Sequence, residues 1–202
     1  MIRIGLLEGS IIPISKLRIN GNTSFCKIGN NTIAHIVTKS IVHPEYDEIN
    51  FSNDVALVKV SPPFKGRYEK PIKLYPPTEI FELYRSLYAL GWGITQSNGT
   101  RPSEQLRIVK LRFVHRGVCR PIFQSVMSIP VPKEAICAGW LRRDMDTCTG
   151  DSGGPLFVNL GNNKKRITCP KLIPYFCGQY PALYMEVSQF YVWIKNETGI
   201  KI

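Results

Sequence analysis

Ten consecutive residues, Asp146-Thr147-Cys148-Thr149-Gly150-Asp151-Ser152-Gly153-Gly154-Pro155, limit what this 202-residue chain can fold into more than any other stretch. Three glycines and a closing proline suit neither a helix interior nor a central strand, so the segment has to be a tight, exposed-backbone turn. Within it Ser152 is the candidate nucleophile. A serine hydroxyl attacks poorly unless a base takes its proton and amide donors face the oxygen on which charge develops. Gly150 and Ser152 are placed to aim their N–H groups at one point, an oxyanion hole, and Asp151 is placed to pair with a buried cation. Read as a turn alone, the same stretch carries an incidental serine.

The flanking sequence is strand-rich. Residues 32–37 and 55–60 are short β-branched runs separated by polar turns, and further runs follow at 84–91 and 106–114. The proline-rich stretch 61–78, with Pro62-Pro63 and Pro76-Pro77, sustains neither helix nor central strand and reads as a connection between two units. Phe190, Trp193 and Ile194 recur at helical spacing, which predicts a short C-terminal helix docked on the body. No run of about 18 apolar residues occurs, so no membrane-spanning helix or signal peptide is predicted.

Six cysteines and five Asn-x-Ser/Thr sequons, at Asn22, Asn30, Asn50, Asn98 and Asn196, point to an oxidising secretory compartment. The cysteines form no Cys-x-x-Cys pair and no histidine stands at ligand spacing, so no metal site is predicted. The formal net charge is +11. Its lysines and arginines are spread out, clustering briefly at Arg142-Arg143 and Lys164-Lys165-Arg166, without the interleaved aromatics of a base-stacking surface. Nucleic-acid binding is therefore not expected. A solvated basic surface is the default, with attraction to anionic glycans or acidic partners as the sharper reading.

The turn at 146–155 resembles the nucleophile loop of trypsin/chymotrypsin-like serine proteases, and other segments resemble that family in the same order. Lys39-Ser40-Ile41-Val42-His43-Pro44-Glu45-Tyr46 and Asn53-Asp54-Val55-Ala56-Leu57 look like its strand and buried-aspartate segment. Leu90-Gly91-Trp92-Gly93 looks like the start of its second barrel, and Ile136-Cys137-Ala138-Gly139 like the strand before its specificity pocket. Residues 184–194 resemble the last strand and closing helix. The resemblance implies an all-β chain of two antiparallel six-stranded β-barrels with a short C-terminal helix. Residues 1–60 would be the remnant of an incomplete first barrel, 61–78 the inter-barrel connection, and 79–202 the second barrel and helix, in one peptidase domain. It makes Asp54 the triad carboxylate and Asp151 the partner of a processed amino terminus. It pairs Cys119 with Cys137 and Cys148 with Cys177, and puts Leu87 and Val158 where a further bridge would stand. Cys26 and Cys169 are left over: unpaired, joined to each other, or joined to cysteines elsewhere.

The chain also departs from the family. No Thr-Ala-Ala-His-Cys-like segment supplies the general-base histidine. His35, His43 and His115 fall where the family carries ordinary strand or surface residues, so all three are expected to be structural. An Ile-Val-Gly-Gly-like amino terminus is absent too. The resemblance implies about fifty further residues ahead of Met1, for a barrel pair near the upper end of its usual length. Asp146, six residues before Ser152, occupies the position that selects substrate Arg or Lys, whereas Ala182 narrows the pocket wall. The family's substrate-pairing strand is not recognisable between Ile167 and Phe176, where Pro170 and Pro174 remove donors.

The expectation is a secreted serine endopeptidase cleaving after Arg or Lys, inactive as these 202 residues alone. No cofactor is expected. Its partners would be protein or peptide substrates and protein inhibitors of proteases, without nucleic acid or membrane. The alternative is a non-catalytic homologue that binds or regulates within a proteolytic cascade.

Overall fold

The structure is a computed structural model, and it describes residues 6–7, 10–11, 13–74, 86–96, 99–141, 145–160, 163–168, 170–171 and 177–200. Among the described residues the strands run in the order β1 (Leu6–Leu7), β2 (Ser10–Ile11), β3 (Arg18–Gly21), β4 (Ile33–Val42), β5 (Ala56–Ser61), β6 (Lys73–Leu74), β7 (Ser86–Gly91) and β8 (Arg107–Val114). Helix α1 (Arg116–Met127) comes next. Strands β9 (Ala135–Gly139), β10 (Leu156–Leu160), β11 (Asn163–Thr168), β12 (Pro170–Lys171) and β13 (Ala182–Met185) and helix α2 (Tyr191–Thr198) complete the chain.

Alternation decides how the strands sit. In β4, His35 and Val37 are buried while Ile36 and Thr38 face out, and in β7 Leu87 and Ala89 are buried. Strands β3, β4 and β5 form a three-stranded antiparallel sheet. A larger sheet has the order β12-β13-β9-β8-β7-β10-β11-β6, antiparallel except at its β11/β6 edge.

Strand β13 is buried on both faces and separates two cores. On one side Ala182 and Tyr184 pack with Leu87, Ala89, Leu111, Ala138, Leu156 and Val158. On the other, Leu183 and Met185 meet Cys119 and Phe123 of α1, Phe190 and Ile194 around α2, and Val55 from the first sheet. Each such aliphatic side chain contributes about 1.5–3 kcal/mol on burial. The second core therefore fastens the two sheets and both helices together. Phe190 and Ile194 are four residues apart, so the predicted C-terminal helix docks as expected, and Gly199 ends it in the left-handed region (φ 65°).

Three expectations change. The chain is mostly β but not all-β: residues 116–127 form a twelve-residue helix. Gly117, Pro121 and the β-branched Val118, Ile122 and Val126 hide it from propensity reasoning. What makes it a helix is a cap at His115, whose ring accepts the Gly117 N–H, and burial of Cys119 and Phe123 four apart. Second, the described strands do not divide six and six, but into sheets of two, three and eight. Lys73–Leu74, within the proline-rich connection, joins the large sheet beside β11. Third, strands do form at 163–168 and 170–171. Pro170 sits on the sheet's terminal strand, the position where a sheet tolerates a proline.

Candidate active site

The loop from Thr147 to Pro155 leads into β10, and two turns shape it. The Asp151 N–H donates to the Cys148 carbonyl (3.0 Å) and the Gly154 N–H to the Asp151 carbonyl (2.9 Å). Gly150 (φ 95°) and Gly153 (φ 83°) occupy the left-handed region that a side chain disfavours. The loop is anchored on the Gly91-Trp92-Gly93 turn at the end of β7. The Ile94 N–H donates to the Thr149 carbonyl (2.9 Å). The Asp151 carboxylate accepts the N–H of Gly93 (2.7 Å) with Oδ1 and that of Cys148 (2.8 Å) with Oδ2. A methyl on Gly91 or Gly93 would collide with this carboxylate, so the two glycines hollow out its seat. Gly150 and half-buried Ser152 flank Asp151, and fixing its side chain fixes the turn that presents the hydroxyl.

Asp54 stands on the β4–β5 connection, half-buried. The residue before it is held from every side. Asn53 adopts a left-handed conformation (φ 54°), its side-chain amide donates to the Glu45 carbonyl (2.9 Å), and its carbonyl accepts from Val55 N–H (2.7 Å). Its own N–H donates to Oε1 of Glu134 (3.0 Å), a carboxylate only 4% exposed, just ahead of β9. The Glu134 Oε2 is buried without a hydrogen-bond partner. Glu134 thus ties the Asp54 turn to the element that leads towards the Ser152 loop, a link that no sequence spacing announces. Among the described residues no hydrogen bond joins Asp54 and Ser152 directly.

All three histidines have other work. His35 is fully buried in β4, between the Pro62 carbonyl (Nδ1, 2.7 Å) and Glu69 (Nε2 to Oε1, 2.9 Å), with the Phe64 ring 4.4 Å away. Both ring nitrogens face acceptors, an arrangement that favours the protonated ring, which can donate to both. Burial opposes that charge, but the Pro62 carbonyl and Glu69 carboxylate raise its pKa above the usual histidine value. Burial likewise opposes charge on Glu69, yet the Gly66 N–H, His35 and the Lys65 N–H hold its carboxyl below the ordinary range. His43 packs edge-on to Phe190 and against Trp193, and its Nδ1 accepts the Glu45 N–H (3.2 Å). His115 caps α1.

Asp146 is largely withdrawn from solvent, and burial pushes its pKa up to about 7 despite amide donors from Gly178 (3.2 Å) and Thr147 (2.7 Å). The Asp151 charge adds to that rise. Behind it the Thr147 hydroxyl meets the phenol of fully buried Tyr184 (2.9 Å), whose pKa burial raises far above its ordinary value. The disulfide Cys148–Cys177 closes this corner, and Cys119–Cys137 ties α1 to β9. Asp146 and Asp151 share a cavity of about 730 Å³ whose walls include Gly93, Ile94, Val109, Lys110, Met145 and the Cys148–Cys177 corner. Neither Ser152 nor Ala182 lines it. Ala182 faces the core beside Ala138. Leu87 and Val158, where the resemblance implies a further bridge, are direct cross-strand partners and buried. Cys26 is an exposed free thiol. Cys169, Pro174, Asn98, Arg142-Arg143 and residues 2–5 lie outside the described residues. Sequence reasoning missed Glu134, Thr147, Gly178 and Tyr184, which matter through contacts made across the fold.

The family model for trypsin matches residues 19–194, so the chain belongs to the trypsin family of serine proteases. It is 32% identical over 165 residues to phenoloxidase-activating factor 3 of Holotrichia diomphalia, covering 78% of this chain and 46% of that protein. It is 30% identical over 176 residues to transmembrane protease serine 11G of Rattus norvegicus, with 86% and 42% covered. Against trypsin, alkaline B of Manduca sexta it is 28% identical over 190 residues, with 92% and 70% covered. The chain thus spans less than half the length of the first two relatives. Among the described residues no helix is long and apolar enough to cross a membrane.

Proposed function

We propose that this polypeptide is part of a secreted serine endopeptidase that works by acyl transfer. The observation that carries the reading is the seat of Asp151. Its carboxylate, gripped by the Gly93 and Cys148 amides, holds the Ser152 turn in one conformation, as an acyl-transfer nucleophile requires. Ser152 Oγ attacks the scissile carbonyl while a histidine accepts its proton. The amides of Gly150 and Ser152 face the resulting oxyanion. The protonated histidine then gives its proton to the departing amine, and water hydrolyses the acyl-serine by the same steps in reverse. Asp54 orients that histidine. With His35, His43 and His115 committed to structural contacts, the base has to come from sequence other than these 202 residues.

Asp146 supports cleavage after Arg or Lys. A buried carboxyl raised to about 7 gains most from an incoming cation, which restores its charge. Secretion is supported by the two disulfides and the sequons. The second reading, a binding homologue without chemistry, is favoured by the structural commitment of every histidine.

The test is turnover of a peptide library by the 202-residue chain with its disulfides formed, beside a chimera carrying the histidine-bearing first segment of a trypsin-family relative. The chain alone should be inactive, since loss of the general base costs on the order of a millionfold in turnover. The chimera should cleave after Arg or Lys and lose activity in Ser152→Ala. Serine-dependent turnover by the chain alone would refute its predicted inactivity. An inactive but folded chimera would favour the binding homologue.

A further inference from the structure

The net charge of this chain is not evenly placed, because its acids are scarce over one stretch. Residues 105–185 hold twelve lysines and arginines against four acids, a net of +8 out of +11 for the whole chain. Two of those acids, Glu134 and Asp146, are withdrawn into the fold, and Asp151 is spent on backbone amides; Asp144 lies outside the described residues. The ion pairs among the described residues, Lys27–Glu104 and His35–Glu69, involve none of Arg107, Lys110 and Arg112.

Strand β8 gives part of this charge an ordered form. Lys110 and Arg112 are exposed on its outer face, and Arg107 is exposed at its start, while Leu111 points into the core. Alternate residues of a strand stand about 7 Å apart, and Arg107 to Arg112 spans about 17 Å. Neighbouring strands put no acid beside them. Tyr88 of β7 lies opposite Lys110 and Ser86 opposite Arg112, while on the β9 side Arg112 faces Gly139. The strip is also braced. The Arg112 guanidinium lies 4.5 Å over the Trp140 ring, whose N–H donates to the Lys110 carbonyl (2.9 Å), and Arg107 Nε donates to the Ser103 hydroxyl (3.2 Å). A planar guanidinium fixed on an aromatic face loses less freedom when it meets a planar oxyanion.

We propose that Lys110 and Arg112 on the outer face of β8, with Arg107 at the exposed start of the strand, form a docking surface for a sulfated polysaccharide. This elongated basic stretch, with no acid opposite it on β7 or β9, fits a linear polyanion, although Arg107 and Lys110 also border the cavity that holds Asp146 and Asp151. The aromatic rings beside the strip are already engaged, Trp140 by the Arg112 guanidinium and the Lys110 carbonyl and Tyr88 by stacking on Phe157, which leaves little platform for stacked bases. Meeting such a polymer rests on the secretory reading above, but binding requires neither Ser152 nor any protease activity, so the two can fail separately.

The experiment titrates the whole 202-residue chain into a labelled heparin dodecasaccharide, following anisotropy between 50 and 300 mM NaCl, settings on either side of physiological ionic strength at about 150 mM. The double variant Lys110→Gln/Arg112→Gln should lose about tenfold or more in affinity and flatten the salt dependence. The control Lys39→Gln/Lys59→Gln, which takes the same charge from exposed positions on β4 and β5, should change it less than about twofold. Arg107→Gln alone, which leaves the Trp140 contact in place, should still weaken binding measurably. Equal losses in the two double variants would reduce the effect to net charge and overturn the proposal. So would equal or tighter binding to duplex DNA or to anionic lipid vesicles, or no binding at about 150 mM salt.

Discussion

A single carboxyl group can make an entire fold sensitive to acidity, and Asp146 is placed to do so. Its folded pKa of about 7 lies above the ordinary aspartate value, so between roughly pH 4 and 7 the folded state holds a proton that the unfolded chain releases. Stability should therefore fall as pH rises through that interval, and Asp146→Asn should remove this part of the slope in urea titrations. An unchanged slope would show that the Asp146 environment is wrong. The His35–Glu69 pair acts at its own limits. Its contribution should fade as pH rises through the elevated His35 pKa, and again as pH falls through the depressed Glu69 value. His35→Gln should remove the alkaline loss. At Gly93, alanine would thrust a methyl into the Asp151 carboxylate, and a cost of about 2 kcal/mol or more is expected from denaturation midpoints. The residues around Ser152 were legible because their turn chemistry is written in consecutive glycines. Glu134 was not, because its partner Asn53 lies 81 positions away and only the packed fold introduces them.

Elements reveal where local preference yields to context. The runs at 55–60 and 106–114 became β5 and β8 nearly as drawn, since alternating burial writes itself into composition. Helix α1 was invisible because its proline, glycine and β-branched residues argue against it, while its stabilising contacts, the Cys119–Cys137 bridge and the Phe123 packing, are tertiary. The sheet count differed because the edge pairs β6 and β12 are two residues each, too short for any periodicity to register. Between β7 and β10 the Leu87–Val158 pair is tested by Leu87→Ala, which should cost about 2–5 kcal/mol in thermal or chemical unfolding. A cost under about 1 kcal/mol would mean that the seam is held elsewhere.

For the molecule as a whole, the connection between β3 and β4 reaches across to the segment leading into β8. Ser24 and Cys26 exchange backbone hydrogen bonds with Leu106 and Glu104, and the Trp92 indole donates to the Ser24 carbonyl (3.2 Å). Asn22 belongs to the same linkage. Its amide nitrogen donates to the Asn31 carbonyl (2.8 Å) and its oxygen accepts the Tyr68 N–H (2.9 Å), so a glycan there would break loop-to-loop contacts. Asn30 is exposed on a turn. Glycopeptide mapping of protein secreted from eukaryotic cells should find Asn30 occupied and Asn22 bare in the folded fraction, together with Cys119–Cys137 and Cys148–Cys177 peptides. Full occupancy of Asn22 in folded protein would contradict its role in joining the loops.

The Leu87–Val158 pair has one more consequence, for life in the presence of thiols. Two aliphatic side chains have no redox state, so reductant that cleaves a cross-link passes this seam by. Of the four bonded cysteines, Cys177 is the least buried, and an attacking thiolate should reach the Cys148–Cys177 bond first. Loss of covalent integrity would then begin at the corner beside Asp146 and spread to α1 only later. The frame between β7 and β10 would still stand, so partial reduction should loosen the rim of the candidate active site before it dissolves the sheet.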